Sequence, residues 1–247
     1  AEEEYIPFIE RVSAHPAYSG VKDLCGGLLL KQCGYLDTTR YLSSVRNLIE
    51  RGGIFLEDHA AGNELHVHSD GVEYKNYAAN RVIFCNGIQR NGLFDWLPIR
   101  PLKGETIKIK TSLVKELIIN RGVYMVPLTQ EGEWRVGATY NFKDETQSAT
   151  ENGRLELVAK LNELIHKPYE ILGQEWGFRP TTPDRRPILG QHPELRSAFI
   201  FNGMGTKGVS LAPFFSEILV HSIENGVPLN KEVGIERYKV LYWSSST

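Results

Sequence analysis

The sequence predicts a mixed α/β (α+β) fold, and three patterns carry that expectation. An amphipathic helical stretch, Thr38 to Arg51, is followed by a series of short strand-like runs. Two of those runs are joined by Asp70-Gly71, the residue pair of a tight hairpin. Towards the far end an apolar strand, a glycine-rich loop GMGTKG and a long helix follow one another. Strands and helices mixed along the whole chain are the pattern of packed α and β layers.

In chain order, Asp37 or Thr38 can cap the first helix. Tyr41, Leu42, Val45, Leu48 and Ile49 mark its apolar face, and Gly52-Gly53 stop it. Strand-like segments follow at Ile54 to Asp58, Glu64 to His68, Val72 to Tyr77 and Arg81 to Cys85. Between Leu97 and Gly104 the texture changes, with Pro98 and Pro101 punctuating a crossover. Strands are then expected at Glu105 to Lys110, Gly122 to Leu128 and Trp134 to Thr139, with Glu131-Gly132 turning between the last two. A helix over Thr150 to His166 would present Leu155, Val158, Leu161, Leu164 and Ile165. Trp176 to Pro180 and Ala198 to Phe201 read as strands. A helix over Val209 to Glu224 tolerates Pro213 in its first turns, and the SSST tail is expected to fray. The breaks suggest segments 1–97, 98–172 and 173–247.

The chain has 247 residues, 28 basic against 30 acidic, a formal net charge of −2. That balance lacks the global basic field of a non-specific nucleic-acid binder. No apolar run approaches the roughly 20 residues of a membrane span, and the acidic start AEEEY is the opposite of a secretory leader. Cys25, Cys33 and Cys85 contain no CxxC pair, which points to a reducing cytoplasm and away from a disulfide framework or a four-ligand zinc site. Cys85 reads as a small buried hydrophobe. His66 and His68 lie on one strand face, but with no third ligand nearby they read as an exposed hairpin, so no metal is expected. The alternating lysines from Lys103 to Lys115 read as a solvated strand face.

Four stretches carry the chemistry: RVIFCNG (Arg81 to Gly87), PIRPLKGE with VYMVPL (Pro98 to Glu105, Val123 to Leu128), WGFRPTTPDRRPILG (Trp176 to Gly190) and FNGMGTKGVSLAP (Phe201 to Pro213). Taken together they resemble the D-amino-acid-oxidase-like family of FAD-dependent oxidoreductases, which includes glycine and sarcosine oxidases. Arg179-Pro180, Thr182-Pro183-Asp184, Pro187 to Gly190, Gly203 to Gly208 and Leu211-Ala212-Pro213 follow that family's tail pattern in order and spacing. YMVP resembles its YxxP strand, VGATYNF its following GxT strand, and GYLDTTRYL the start of its long helix. The resemblance implies the remainder of an FAD-binding α/β domain in segments 1–97 and 173–247. It implies a substrate-binding sheet and helix in 98–172.

The family's opening strand–GxGxxG–helix unit, about 30 residues that cradle the FAD pyrophosphate, has no counterpart before Gly34. With Ala rather than Met as first residue, the chain is expected to be a fragment of a longer flavoprotein and inactive alone.

Arg179 is the foremost candidate. A guanidinium can hold a carboxylate through two parallel charge-assisted hydrogen bonds, and the resemblance puts the family's substrate-carboxylate arginine here. The alternative is a structural pairing with Asp184 or Glu175. Tyr124, on the YxxP strand, could donate its hydroxyl to the same carboxylate, or be an ordinary strand aromatic; Met125 would then point to the opposite face and pack. Gly203, Met204, Gly205, Thr206, Lys207 and Gly208 form the loop that the family sets beside the flavin, and Asn86-Gly87 its small-residue turn near FAD. Met204 and Lys207 stand where the family often has histidine and arginine, and the lost histidine donor leaves the substrate class open.

The resemblance therefore implies oxidation of a small carboxylate-bearing amine or amino acid by hydride transfer to flavin, with no catalytic side chain assigned. An alternative is the FAD domain of an enzyme that demodifies carboxymethylaminomethyl-uridine in tRNA, the one reading that implies a nucleic-acid partner. A non-catalytic binding module is the other.

Overall fold

The computed structural model describes residues 7–12, 20–22, 25–58, 60, 64–113 and 117–245. In chain order the elements are β1 (Ile9–Val12), β2 (Gly27–Leu30), α1 (Thr38–Gly52), β3 (Leu65–Val67), β4 (Val72–Tyr74), β5 (Tyr77–Ala79) and β6 (Val82–Phe84). After them come β7 (Arg100–Thr111), β8 (Ile119–Arg121), β9 (Val123–Pro127), β10 (Glu133–Gly137), α2 (Glu151–Leu164) and β11 (Tyr169–Thr181). The chain ends with β12 (Ile188–Gln191), β13 (Ala198–Asn202), α3 (Gly208–Asn225) and α4 (Lys239–Ser245). They fall into two compact units: Ala1–Tyr41 with Lys103–Gly177, and Leu42–Leu102 with Phe178–Thr247.

The first unit is built on a sheet in the order β11-β7-β10-β9-β8. Alternation along its strands puts Ile107, Ile109, Val123, Met125, Trp134 and Val136 on one face, where they are buried with Leu157, Leu161 and Leu164 of α2. The opposite face stays open and carries Thr106, Lys108, Tyr124, Val126 and Arg135. Helix α2 starts where Thr150 caps it, its hydroxyl accepting from the Gly153 N–H at 3.1 Å. Its last carbonyls are met by Lys22 and Arg121, which donate to the Asn162 and Glu163 oxygens at 2.5 and 2.8 Å.

The second unit holds a three-stranded sheet in the order β12-β13-β6. β13 runs parallel to β6 and antiparallel to β12. Ile188, Ala198, Ile200 and Phe84 pack into one apolar cluster, while Leu189 and Phe199 join Leu219 of α3 in another. Burial on both faces explains why Ala198 to Phe201 is an unbroken apolar run rather than an alternating one. A meander β3-β4-β5 belongs to the same unit, and the Asp70-Gly71 turn closes with the His68 N–H donating to the Gly71 carbonyl at 2.8 Å.

The mixed architecture agrees with expectation, and several local readings are corrected. Ile54 to Asp58 is irregular chain rather than a strand, with Ile54, Phe55 and Leu56 exposed. The run Val72 to Tyr77 is broken into β4 and β5, because Lys75 adopts φ 54° and turns the chain. Pro101 lies inside the long strand β7 instead of a crossover. On α2 the expected Leu155 is 55% exposed while Leu157 is fully buried; apolar residues lie around most of this helix, so periodicity alone did not choose the face. Cys85 is exposed, since it follows buried Phe84 at the strand end and faces the other way. Lys103, expected on a solvated face, is 1% exposed, whereas Lys110 is exposed. Residues 1–6, Lys115 and 246–247 lie outside the described residues, while Ser244 and Ser245 of the expected frayed tail close α4. Among the described residues no helix is long and apolar enough to cross a membrane.

Candidate functional site

In the second unit the parallel strands β6 and β13 end side by side. The turns that follow them, Asn86-Gly87 and Gly203, are tied together by one side chain that the sequence reading passed over. Buried Asn202 donates from Nδ2 to the Gly87 carbonyl at 2.8 Å, and its Oδ1 accepts from the Gly203 N–H at 2.8 Å. Its only signal in the sequence was its place next to the glycine loop. The carboxyl ends of parallel strands are where open α/β sheets leave a crevice for ligands.

Two kinds of glycine shape these turns. Gly203, at φ 72°, has no space for a side chain: a Cβ there would sit 2.7 Å from the Thr182 methyl. Gly87, at φ 61°, would have nothing within 4 Å of a Cβ, so its backbone is open to close approach. Gly205, at φ 57°, is open likewise, with Thr181 Oγ1 the nearest atom at 3.9 Å. A 3₁₀ turn, Gly205–Lys207, leads directly into α3, whose N-cap residue Lys207 makes no side-chain cap hydrogen bond. The start of an 18-residue helix therefore presents backbone donors and the positive end of its dipole beside the glycine turns.

The structure thus brings Asn86, Gly87, Gly203, Met204, Gly205, Thr206, Lys207 and Gly208 into one unit around two adjoining strand ends. Met204 packs on the Leu189 and Phe199 cluster, and Thr206 and Lys207 are exposed. Asn86 contributes by shaping its own turn: its side chain donates to the Gln89 carbonyl and accepts from Asn91 Nδ2 at 3.3 Å.

Arg179 lies in β11 just before Thr181, which forms a bridge with Met204 of the glycine loop. The TPD turn beyond it is locked by a residue distant in sequence. Arg237 donates from Nε to Asp184 Oδ2 at 3.0 Å and from Nη2 to the Pro187 carbonyl at 2.8 Å. Burial pushes the Asp184 carboxyl up, but the hydrogen bonds from Arg237 and from the Arg186 N–H outweigh it and hold the group below its ordinary value. Asp184 is therefore engaged by Arg237, and Glu175 by Arg135 at 2.8 Å.

Tyr124 belongs to the first unit. It is half-buried on the open face of the sheet, while Met125 beside it is fully buried on the other, as strand alternation requires. His66 and His68 are both exposed on the meander. Among the described residues no group of three or more His, Cys, Asp or Glu side chains could hold a metal.

Comparison with known proteins bears on this geometry. The sequence model of a family described as FAD dependent oxidoreductase matches residues 2–222. A glycine oxidase of Geobacillus kaustophilus is 28% identical over 162 residues, 60% of this chain and 41% of that protein. The tRNA 5-methylaminomethyl-2-thiouridine biosynthesis bifunctional protein of Saccharophagus degradans is 22% identical over 83% of this chain and 34% of its own length. The chain thus spans well under half of the curated relatives named here. In three dimensions it resembles the glycine oxidase crystal structure from Geobacillus kaustophilus with a TM-score of 0.72, covering 90% of this chain and 64% of that one at 21% identity.

Proposed function

The chain belongs to the DAO family of FAD-dependent oxidoreductases, and from that premise we propose that it carries the substrate side and part of the flavin side of an amine or amino-acid oxidoreductase. The observation that carries this reading is the pair of strand ends tied by Asn202, with open glycine backbone at Gly87 and Gly205 and an uncapped helix start beside them. A flat cofactor can lie against backbone only where no Cβ intervenes, and that is the arrangement at those two glycines. The residues present therefore fit FAD, with Asn86, Gly87 and Gly203 to Gly208 as those that would hold its ring system.

Bound FAD would supply the redox chemistry, serving as the acceptor of hydride from the carbon that bears the amine. The chain supplies binding and orientation. Arg179 would hold a substrate carboxylate through paired charge-assisted hydrogen bonds, and Tyr124, in the first unit, would offer its hydroxyl to a carboxylate oxygen. Backbone N–H groups at the start of α3 favour negative charge on whatever lies beside them. An amine that arrives neutral needs no proton removed by a side chain, so no general base is assigned.

The substrate is a small amine bearing a carboxylate, of the glycine, sarcosine or D-amino-acid type. A second reading is favoured by one observation: the tRNA-modifying relative matches 83% of this chain where the glycine oxidase matches 60%. Its substrate would be a carboxymethylaminomethyl group on a tRNA base, an N-substituted glycine that Arg179 would hold in the same way. Anaerobic mixing of the FAD-loaded intact protein that carries this chain with each class tests both. Bleaching of the flavin by free glycine, sarcosine or D-amino acids supports the first reading. Bleaching only by the modified nucleoside or tRNA supports the second, and no bleaching by any of them contradicts both.

A further inference from the structure

Four strands of the first unit line up across the open face. Asn120 of β8 pairs with Tyr124 of β9, Tyr124 with Gly137 of β10, and Gly137 with Thr106 of β7. Side chains in such a row stand directly beside one another. Gly137 is the one position in it without a side chain, and the space is taken: a Cβ there would lie 2.7 Å from the Tyr124 hydroxyl oxygen, 2.9 Å from its Cζ and 2.6 Å from the Thr106 methyl. The hydroxyl end of the Tyr124 ring therefore lies over the Gly137 backbone, bounded on the far side by Thr106.

A left-handed turn does not account for glycine here. Gly122 and Gly132, at the ends of the neighbouring strands, have φ 72° and 71° and serve turns, whereas Gly137, the last residue of β10, lies outside that positive-φ region. A glycine inside a strand weakens it, since it packs nothing and orders poorly. What it provides is a slot one residue wide in the middle of a polar sheet face. The neighbouring row shows the usual case: Val126, Arg135 and Lys108 stand side by side with no gap.

We propose that Gly137 is a positioning residue for the substrate site: the gap it leaves in β10 seats the Tyr124 phenol and fixes its hydroxyl over the centre of the open face, with Thr106 as the wall that stops the ring. This rests on the reading of Tyr124 as a contact to the substrate carboxylate. A tyrosine on a full strand would stand upright among its neighbours with its hydroxyl free to sweep. Laid across a glycine, its hydroxyl is held to one direction, so less freedom is lost when it meets a ligand.

The test uses the FAD-loaded intact protein that carries this chain, labelled with ¹³Cζ-tyrosine, the Tyr124 signal being assigned by its loss in Tyr124→Phe. Gly137→Ala is expected to move the Tyr124 signal and raise KM for a carboxylate-bearing amine about tenfold, with kcat changed less than about twofold. Thr106→Ser with Gly137→Ala removes the methyl clash, leaves the clash with the ring and keeps folding strain low; it should show the same signal shift and KM. In the Tyr124→Phe background, where the hydroxyl is gone, adding Gly137→Ala should change KM less than about twofold. An unmoved Tyr124 signal in both alanine variants overturns the proposal, and so does a KM effect of Gly137→Ala that persists in full when Tyr124 is phenylalanine. If the signal moves but Tyr124→Phe alone leaves KM unchanged, the seat stands and the reading of Tyr124 as a carboxylate contact fails.

Discussion

The carboxylate of Glu105 on β7 receives the first turn of α2: it accepts from the Thr150 N–H at 2.8 Å and from the Thr150 hydroxyl at 2.7 Å. Gln174 of β11 donates to the same carboxylate at 2.5 Å. One buried acid thereby joins two strands and the start of a helix in the first unit.

That joint makes Gly153 a sharp test. In an ordinary helix, alanine in place of glycine stabilises by about 1 kcal/mol. Here an added Cβ would lie 2.6 Å from the Glu105 carboxyl carbon, with its two oxygens at 2.7 and 2.8 Å. The carboxylate is pinned by three donors and cannot swing aside, so the clash outweighs the propensity gain. Gly153→Ala should destabilise by about 1–3 kcal/mol in urea unfolding. A higher midpoint than wild type would show that Glu105 is not held as described.

Lys103 is the cation of the same buried network. Its Nζ donates to Asp144 at 2.9 Å and to Thr146 at 2.7 Å, with Glu105 at 3.7 Å. Lys103→Met leaves buried Glu105 without its nearby positive charge and should cost about 3–5 kcal/mol. Lys103→Met with Glu105→Gln should recover part of that loss, because the fully buried charge is then gone and Asp144 keeps its hydrogen bonds from Thr146. A double variant no more stable than the single one would contradict this account.

Asp144 gives the network a signature in acid. Hydrogen bonds from the Thr146 hydroxyl first, and from Lys103 next, hold its carboxyl at about 2. A depressed acid stabilises the fold above its ordinary value and loses that contribution as pH falls towards the depressed one. Stability should therefore decline from about pH 4 towards about pH 2. Asp144→Asn should make that decline shallower; an unchanged acid limb would remove Asp144 from the network.

In the second unit, buried His192 accepts at Nδ1 from the Glu194 and Leu195 N–H groups, both at 3.2 Å. Its ring meets those of Phe94 and Tyr242 edge-on at 5.3 and 5.2 Å. Burial pushes the imidazole below its ordinary value, against the Leu93 backbone and the Glu194 charge, which pull it up. The folded state thus takes up the proton later than the unfolded chain does. The stability that neutral His192 contributes is full above about pH 6.5 and is lost as pH falls through the lower folded value. His192→Asn, which keeps an acceptor near the Nδ1 position, should narrow the difference in melting temperature between about pH 7.5 and about pH 5. An undiminished difference would place that dependence elsewhere.

How much of this was legible in the sequence follows from the range of each interaction. Turns are local: Asp70-Gly71 and Glu131-Gly132 declare themselves by residue type. The glycine loop after β13 was legible for the same reason. What stayed hidden depends on partners far along the chain. Lys103 read as one of several surface lysines because Asp144 and Thr146, which bury it, are 41 and 43 residues away. Asn202 looked like part of a loop until its side chain was seen to reach Gly87, and Arg237 gave no sign that it locks the turn at Asp184. The face of α2 was ambiguous because Leu155 and Leu157 are both apolar and only the sheet selects between them.

The account turns on Arg179 as the holder of the substrate carboxylate, and one comparison tests it most directly. The rate of anaerobic flavin bleaching is measured for the FAD-loaded intact protein that carries this chain and for its Arg179→Met variant, with sarcosine and with dimethylamine, its counterpart without the carboxylate. Wild type should strongly prefer sarcosine; losing two charge-assisted hydrogen bonds should raise the half-saturating concentration by about a hundredfold or more and leave dimethylamine almost unaffected. An Arg179→Met protein that keeps the wild-type preference for sarcosine would contradict the account.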